Sequence, residues 1–157
     1  MPNYSEILAI LNDRSVSLEE ALDHLDRETC VRFSVWCARR VVHLDPTGKA
    51  LPAIEAAEAW LLDPSERNRA AAEKAGDVAW AAGWAAAYVA AYAAYVAWAA
   101  RAAYAAYVVA WAAAWAAEAL PEHERQAEQE AQRYQLKLMV YDLLPEEEKS
   151  WLLEATL

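Results

Sequence analysis

Large apolar residues recur every three or four positions through the middle of the chain: Trp80, Trp84, Tyr88, Tyr92, Tyr95, Trp98, then Tyr104, Tyr107, Trp111 and Trp115. That is the period of an α-helix and not of a strand. Ala fills most of the positions between them, and neither Pro nor Gly interrupts residues 84–120, so helix is also the local preference of the chain. At about 100° per residue, the rings at 80–98 lie within an arc of roughly 120° and those at 104–115 within roughly 80°. The two arcs point in nearly opposite directions, with Arg101 between them. Either the chain turns near residues 99–103 and makes a helical hairpin, or one long helix offers opposite faces in its two halves. One helix over residues 66–119 would be about 80 Å long, against a radius of gyration of about 15 Å for a compact domain of this length. Compactness favours the break, and the lack of a turn residue favours continuity.

The flanking segments are helical too. Ile7, Leu8 and Leu11 predict a short helix over residues 4–11, ended by Asn12-Asp13-Arg14-Ser15. Ser17-Leu18-Glu19-Glu20 is a capping box, and Leu18, Ala21, Leu22 and Leu25 form the apolar face behind it. Residues 29–44 carry Val31, Val35, Trp36 and Val42. Asp45-Pro46-Thr47-Gly48 predicts a turn, and Pro52 suits the first turn of a helix ending near Leu62. Asp63 followed by Pro64 and Glu66 reads as the cap of the next helix. Pro121 opens a polar helix to about Leu144, whose later half (Leu136, Met139, Val140, Leu143) faces the core. Pro145 opens a last short helix, docked by Trp151, Leu152 and Leu153. No segment carries a strand pattern. The expectation is a single all-α domain over residues 1–157, a compact bundle of about seven to eight helices with a central Ala/Trp/Tyr-rich helix or helical hairpin.

Residues 78–100 are long enough to cross a bilayer. Only Val78, Val89 and Val96 there are residues that drive insertion, and Trp and Tyr prefer the interface. The stretch therefore reads as the core of a soluble bundle with no membrane partner. In that core, most of Trp84, Trp98, Trp111 and Trp115 are expected to be buried between helices, with Ala at the remaining positions. Buried indole N–H and phenol O–H groups need partners. This gives either a hydrogen-bond network or a polar-lined cavity, and the candidate lining is Trp84, Tyr88, Arg101, Tyr104 and Trp111.

Charge narrows the partners. The chain has 157 residues and a formal net charge of −10, which disfavours nucleic acid and suits a basic protein partner. Glu122, Glu124, Glu128 and Glu130, joined by Glu146, Glu147 and Glu148, make the candidate partner-binding patch. Acids at helix starts also complement the dipole, so a merely solvated, capped helix start accounts for them equally well. Cys30 and Cys37 are seven apart on one helix, about 10 Å, which is too far for a disulfide. Reduced thiols suit a cytoplasmic protein, and no secretory pattern opens the chain.

No catalytic, cofactor-binding or metal-binding constellation stands out. His24, His43 and His123 have no ligand spacing. With glycine only at 48, 76 and 83, a phosphate-cradling loop is not expected. Arg39 or Arg40 is expected against a carboxylate such as Glu55 or Glu58, and Arg101 should need one as well.

Three segments carry a resemblance when taken in order: residues 37–44 (CARRVVHL), residues 53–61 (AIEAAEAWL) and the Ala/Trp/Tyr tract. Together, over roughly residues 15–118, they resemble a bacterial family described as immunity proteins of polymorphic toxin systems. The resemblance implies a small cytoplasmic helical protein, without enzyme activity or cofactor, that neutralises a cognate toxin by binding it. It supplies no catalytic residues. The alternative is a helical-bundle binder of, or enzyme acting on, an apolar aromatic small molecule. A third is an assembly protein whose aromatic helices dimerise, so monomer and homodimer both stay open.

Overall fold

A computed structural model describes residues 3–86, 88–99 and 105–150; for residues 83–86, 88–92 and 105–111 it describes the backbone alone. Everything described is helix or connecting loop. The order is α1 (Tyr4–Asn12), α2 (Leu18–Leu22), α3 (Arg27–Val41) running into a 3-10 turn (Val42–Leu44), α4 (Ala50–Leu62), α5 (Glu66–Ala86), α6 (Tyr88–Ala99), α7 (Ala105–Glu118) and α8 (Glu122–Asp142). Residues 146–150 begin a further turn of helix. The predicted docking residues Trp151, Leu152 and Leu153 lie outside the described residues.

Short polar side chains set where helices start. Asn3 accepts from the Glu6 N–H, Ser17 from the Glu20 N–H and Asp26 from the Thr29 N–H, each satisfying a donor that the first turn leaves free. Asp26 places the start of α3 two residues before the predicted Thr29. The cap of α5 is Ser65, which accepts from Asn68 N–H at 3.4 Å. Asp63, expected in that role, instead accepts from the Ser65 hydroxyl and the Asn68 amide. At the entry to α4, Gly48 takes φ +69°, which only glycine adopts without strain. Asp45 spans that turn, accepting from Thr47 N–H at 2.9 Å, the Thr47 hydroxyl at 2.7 Å and Ala50 N–H at 2.8 Å.

Helix α6 packs against both α5 and α7; α4 lies on α5 and α6, and α3 on α6 and α7. Helices α2 and α8 cover α7, and α1 closes over α2 and α8. Trp98 Nε1 donates to Asp77 Oδ1 at 3.1 Å. In one continuous helix those residues would be about 31 Å apart, so α5 and α6 lie side by side and a single rod over residues 66–119 is ruled out. The expected break at 99–103 falls, apart from residue 99, on residues 100–103, outside the described residues.

In the layer α5–α6–α7 many of the described alanines are buried rather than left on the outside, while the described tryptophans lie partly buried against the core. Among the described residues there, Ala72, Ala79, Ala93, Ala94, Ala97, Ala99, Ala112, Ala113, Ala116 and Ala117 are fully out of water, with Val96. Trp98 and Trp115 are half-buried, and the side chains of Trp84 and Trp111 are outside the described set. A methyl group lets helix backbones approach more closely than a ring would, so the small residues occupy the contact and the rings pack along its edge. Trp80, Tyr95, Trp98 and Trp115 form one cluster there. Tyr95 stands edge-on to Trp80, Trp98 and Trp115, with centroids 5.5, 5.8 and 5.4 Å away, the arrangement aromatic quadrupoles prefer. Gly76 is where the cluster leans on α5: a Cβ there would lie 2.7 Å from Trp98 Nε1 and 3.2 Å from the Ala94 carbonyl.

Among the described residues, larger core side chains come from the other helices: Ile7, Leu11, Leu22, Val31, Phe33, Val41, Ile54, Leu136 and Val140 are essentially inaccessible.

Candidate functional site

Helix α8 carries the polar groups that hold the molecule together. Its buried residues are Glu128, Gln132, Leu136 and Val140, a strict four-residue step that puts all four on one stripe. The apolar half of that stripe was expected, with Met139 packing beside it and Leu143 left 38% exposed. The polar half continues it inward. Glu128 was expected on the acidic surface patch, but its side chain is only 4% exposed, so it is withdrawn from any such patch. Arg40 of α3 grips it, with Nε 3.1 and 2.9 Å from the two carboxylate oxygens and Nη2 at 2.8 Å. Gln132 donates to Glu128 at 3.3 Å and to the Ala113 carbonyl of α7 at 2.9 Å. This network joins α3, α7 and α8. The Arg40 guanidinium also lies over the Trp36 ring, 4.7 Å from its centroid. Arg39 makes the predicted pair with Glu58, bidentate at 2.8 and 2.5 Å.

The remaining patch residues are exposed but spread out. Glu122 and Glu124 sit in the first turn of α8, and Glu130 two turns on. Glu146, Glu147 and Glu148 lie beyond the other end, roughly 30 Å along the helix from Glu122. The structure thus gives two separate acidic ends. Glu124 is 3.4 Å from His123, Glu130 3.7 Å from Arg14, Glu146 2.8 Å from Lys149, and Glu148 accepts from the Ser5 hydroxyl at 2.7 Å. Glu122 and Glu147 make no ion pair among the described residues. The candidate lining residues Trp84, Tyr88 and Trp111 have no described side chains, and Arg101 and Tyr104 lie outside the described residues altogether.

A cavity is present elsewhere. An open groove of about 1090 Å³ runs over α7 between the start of α2 and α8. Ser17, Leu18 and Glu19 line it from α2, Ala113, Ala114, Trp115 and Glu118 from α7, and Gln126, Gln129, Glu130, Gln132, Arg133, Tyr134 and Lys137 from α8, with Arg14 at its rim. Its charges are unevenly committed. Glu118 is paired with Arg125 at 2.9 Å. Arg133 donates to the carbonyls of Leu11, Asp13 and Val16 at 3.2, 3.2 and 2.6 Å, tying the end of α1 and the loop behind it to α8. Lys137, half-buried one turn further along, forms no ion pair among the described residues. Burial first, and then the neighbouring Arg133 and Arg14, pull its pKa below the usual lysine value.

None of the groove cations was singled out from sequence, since Arg14, Arg133 and Lys137 belong to no motif and come from separate segments. Arg133 and Lys137 do share the i, i+4 spacing that places them on one face. Among the described residues, no cluster of three His, Cys, Asp or Glu could hold a metal ion, and no helix is long and apolar enough to cross a membrane.

Fold and site together define an all-helical domain with a buried polar brace, two acidic ends and a mixed-charge groove. Comparison of the chain with protein-family models, curated proteins and solved structures gives no match.

Proposed function

We propose that this is a non-enzymatic binding protein of the immunity type, which neutralises a cognate bacterial toxin by direct binding in the cytoplasm. In this reading the Ala/Trp/Tyr-rich helices form a central hairpin within a bundle of seven to eight helices, and the bundle is a rigid body that presents a charged face. The observation that carries it is the exposed acidic start of α8, where Glu122, Glu124 and Glu130 project from one helix of a chain with net charge −10. Such an acidic helix start steers a basic partner into contact, and the ordered resemblance of three segments to immunity proteins points the same way. Co-expression with a toxin encoded beside its gene tests the proposal. The expected result is restored growth and a complex that survives purification; continued killing, with no complex, counts against it.

A second reading, a binder of an aromatic small molecule, draws on the groove over α7, which Trp115 and Tyr134 line. A groove of this volume is within reach of ordinary ligand sites, which hold a few polar groups against an aromatic wall.

A further inference from the structure

We propose that the corner of the α7–α8 groove formed by Arg14, Arg133 and Lys137 is an anion site, for the carboxylate or phosphate group of a small molecule with an aromatic body. The inference rests on the small-molecule reading of the groove and is independent of toxin binding.

The groove is balanced in the number of its charges but not in how they are paired. Six charged residues line it: Glu19, Glu118 and Glu130 against Arg14, Arg133 and Lys137. Glu118 is neutralised from outside by Arg125 at 2.9 Å. Arg14 reaches Glu130 only at 3.7 Å, and both of those side chains are more than half exposed, so this pair is weak in water. Arg133 spends donors on three backbone carbonyls, which are neutral, so its full charge stays in the groove while its position is fixed. Lys137 stands within the field of both arginines and has no carboxylate against it among the described residues. A half-buried ammonium beside two guanidinium groups is disfavoured by desolvation and by like charge. An arriving anion offsets the like-charge repulsion, because it supplies Lys137 and Arg133 with a counter-charge that the weak Arg14–Glu130 pair does not give them. In a protein of net charge −10, a local positive corner with one cation held rigidly is a binding feature that bulk charge does not explain.

The rest of the lining sets what the anion is attached to. Trp115 and Tyr134 give aromatic surface, and Gln126 and Gln129 give amides. Stacking and cation–π contact favour a planar ring beside the charged group.

Titration calorimetry of the full chain with phenyl phosphate, benzoate, inorganic phosphate and benzyl alcohol tests the site. Phenyl phosphate and benzoate should bind saturably, inorganic phosphate more weakly and benzyl alcohol not at all. Lys137→Gln and Arg14→Gln should each weaken phenyl phosphate by about tenfold, the loss of one charge-assisted contact, with melting temperature unchanged. Arg133 is left in place because it holds the α1–α2 loop. Benzyl alcohol binding as well as benzoate would overturn the anion site and keep the aromatic-ligand reading. If none of the four binds, both are overturned. Phenyl phosphate binding that is indifferent to Lys137→Gln and Arg14→Gln would place the anion elsewhere and reject the assignment.

Discussion

Arg40 is 43% exposed at its side chain, whereas its partner Glu128 is 4% exposed, and this difference predicts an asymmetry between the two deletions. Truncating Arg40 strands a carboxylate away from water, and an uncompensated buried charge costs about 3–5 kcal/mol. Truncating Glu128 leaves a guanidinium that water already reaches and that still lies over Trp36. Urea unfolding should therefore show Arg40→Ala as the more destabilising change by at least about 1 kcal/mol, and equal losses would mean that Glu128 is hydrated. Gly76 gives a second test at this scale. Alanine should favour a helix interior over glycine by about 1 kcal/mol, yet here its Cβ would fall 2.7 Å from Trp98 Nε1 and 3.2 Å from a backbone carbonyl. Overpacking of this kind costs about 1–3 kcal/mol. Gly76→Ala should lower the melting temperature, and a rise would show that the ring cluster gives way freely. Neither feature was legible in the sequence. Glu128 looks like one more acid in an acidic helix start, and Gly76 like an incidental gap in an Ala-rich helix, because the partners of both arrive from other helices.

At the scale of elements, the Ser17 cap and the Asp45–Gly48 turn were readable, since they depend on residues within a few positions of each other. Ser17 accepts the Glu20 N–H as expected and Gly48 takes the left-handed turn before α4, whereas the caps Asn3 and Asp26 were not singled out and Ser65 takes the role expected of Asp63. Burial alone would push the Asp45 pKa up. The bonds it accepts from Thr47, Ala50 and Lys49 outweigh that and hold it below the ordinary aspartate value. A depressed carboxylate stabilises the fold above its unfolded pKa, near 4, and loses that contribution as pH falls through its folded value. Asp45→Ala should cost about 1 kcal/mol at neutral pH, the usual net worth of a lost hydrogen bond, and the difference from the parent chain should shrink as the solution is acidified. A difference that stays constant down to pH 2 would contradict the role of the charged carboxylate in the turn. The long Ala-rich region was readable as helix but not in its packing. Periodicity places Trp and Tyr on one arc, and large apolar residues are usually the buried ones. Here helix proximity decides instead: Ala93, Ala97, Ala112 and Ala116 are inaccessible while Trp98 and Trp115 are half-buried. Spacing within one helix cannot say how closely another approaches.

For the molecule as a whole, the all-helical class followed directly from the apolar period and from the absence of any strand pattern, whereas the groove did not. Its lining comes from the loop after α1, from α2, α7 and α8, and only folding brings them together. The interior is closed enough to shield both cysteines. Cys30 and Cys37 are buried free thiols; desolvation, with Asp26 and Asp23 adding to it, pushes Cys30 up to about 12, and desolvation with Glu128 pushes Cys37 well above its usual value. The thiolate is the reactive form, so at pH 8 a thiol reagent should label neither residue in the native protein and both after unfolding. Prompt native labelling would mean that the packing of α3 opens readily. The proposed toxin binding needs a stable body whose charged surface makes the contact. Its most direct test is the rate of association with a candidate toxin encoded beside the gene, for the parent chain and for the triple variant Glu122→Lys, Glu124→Lys, Glu130→Lys, at low and at physiological salt. Steering by the start of α8 predicts a rate that falls with salt and drops by about tenfold or more in the variant. An unchanged rate with an unchanged salt dependence would contradict it.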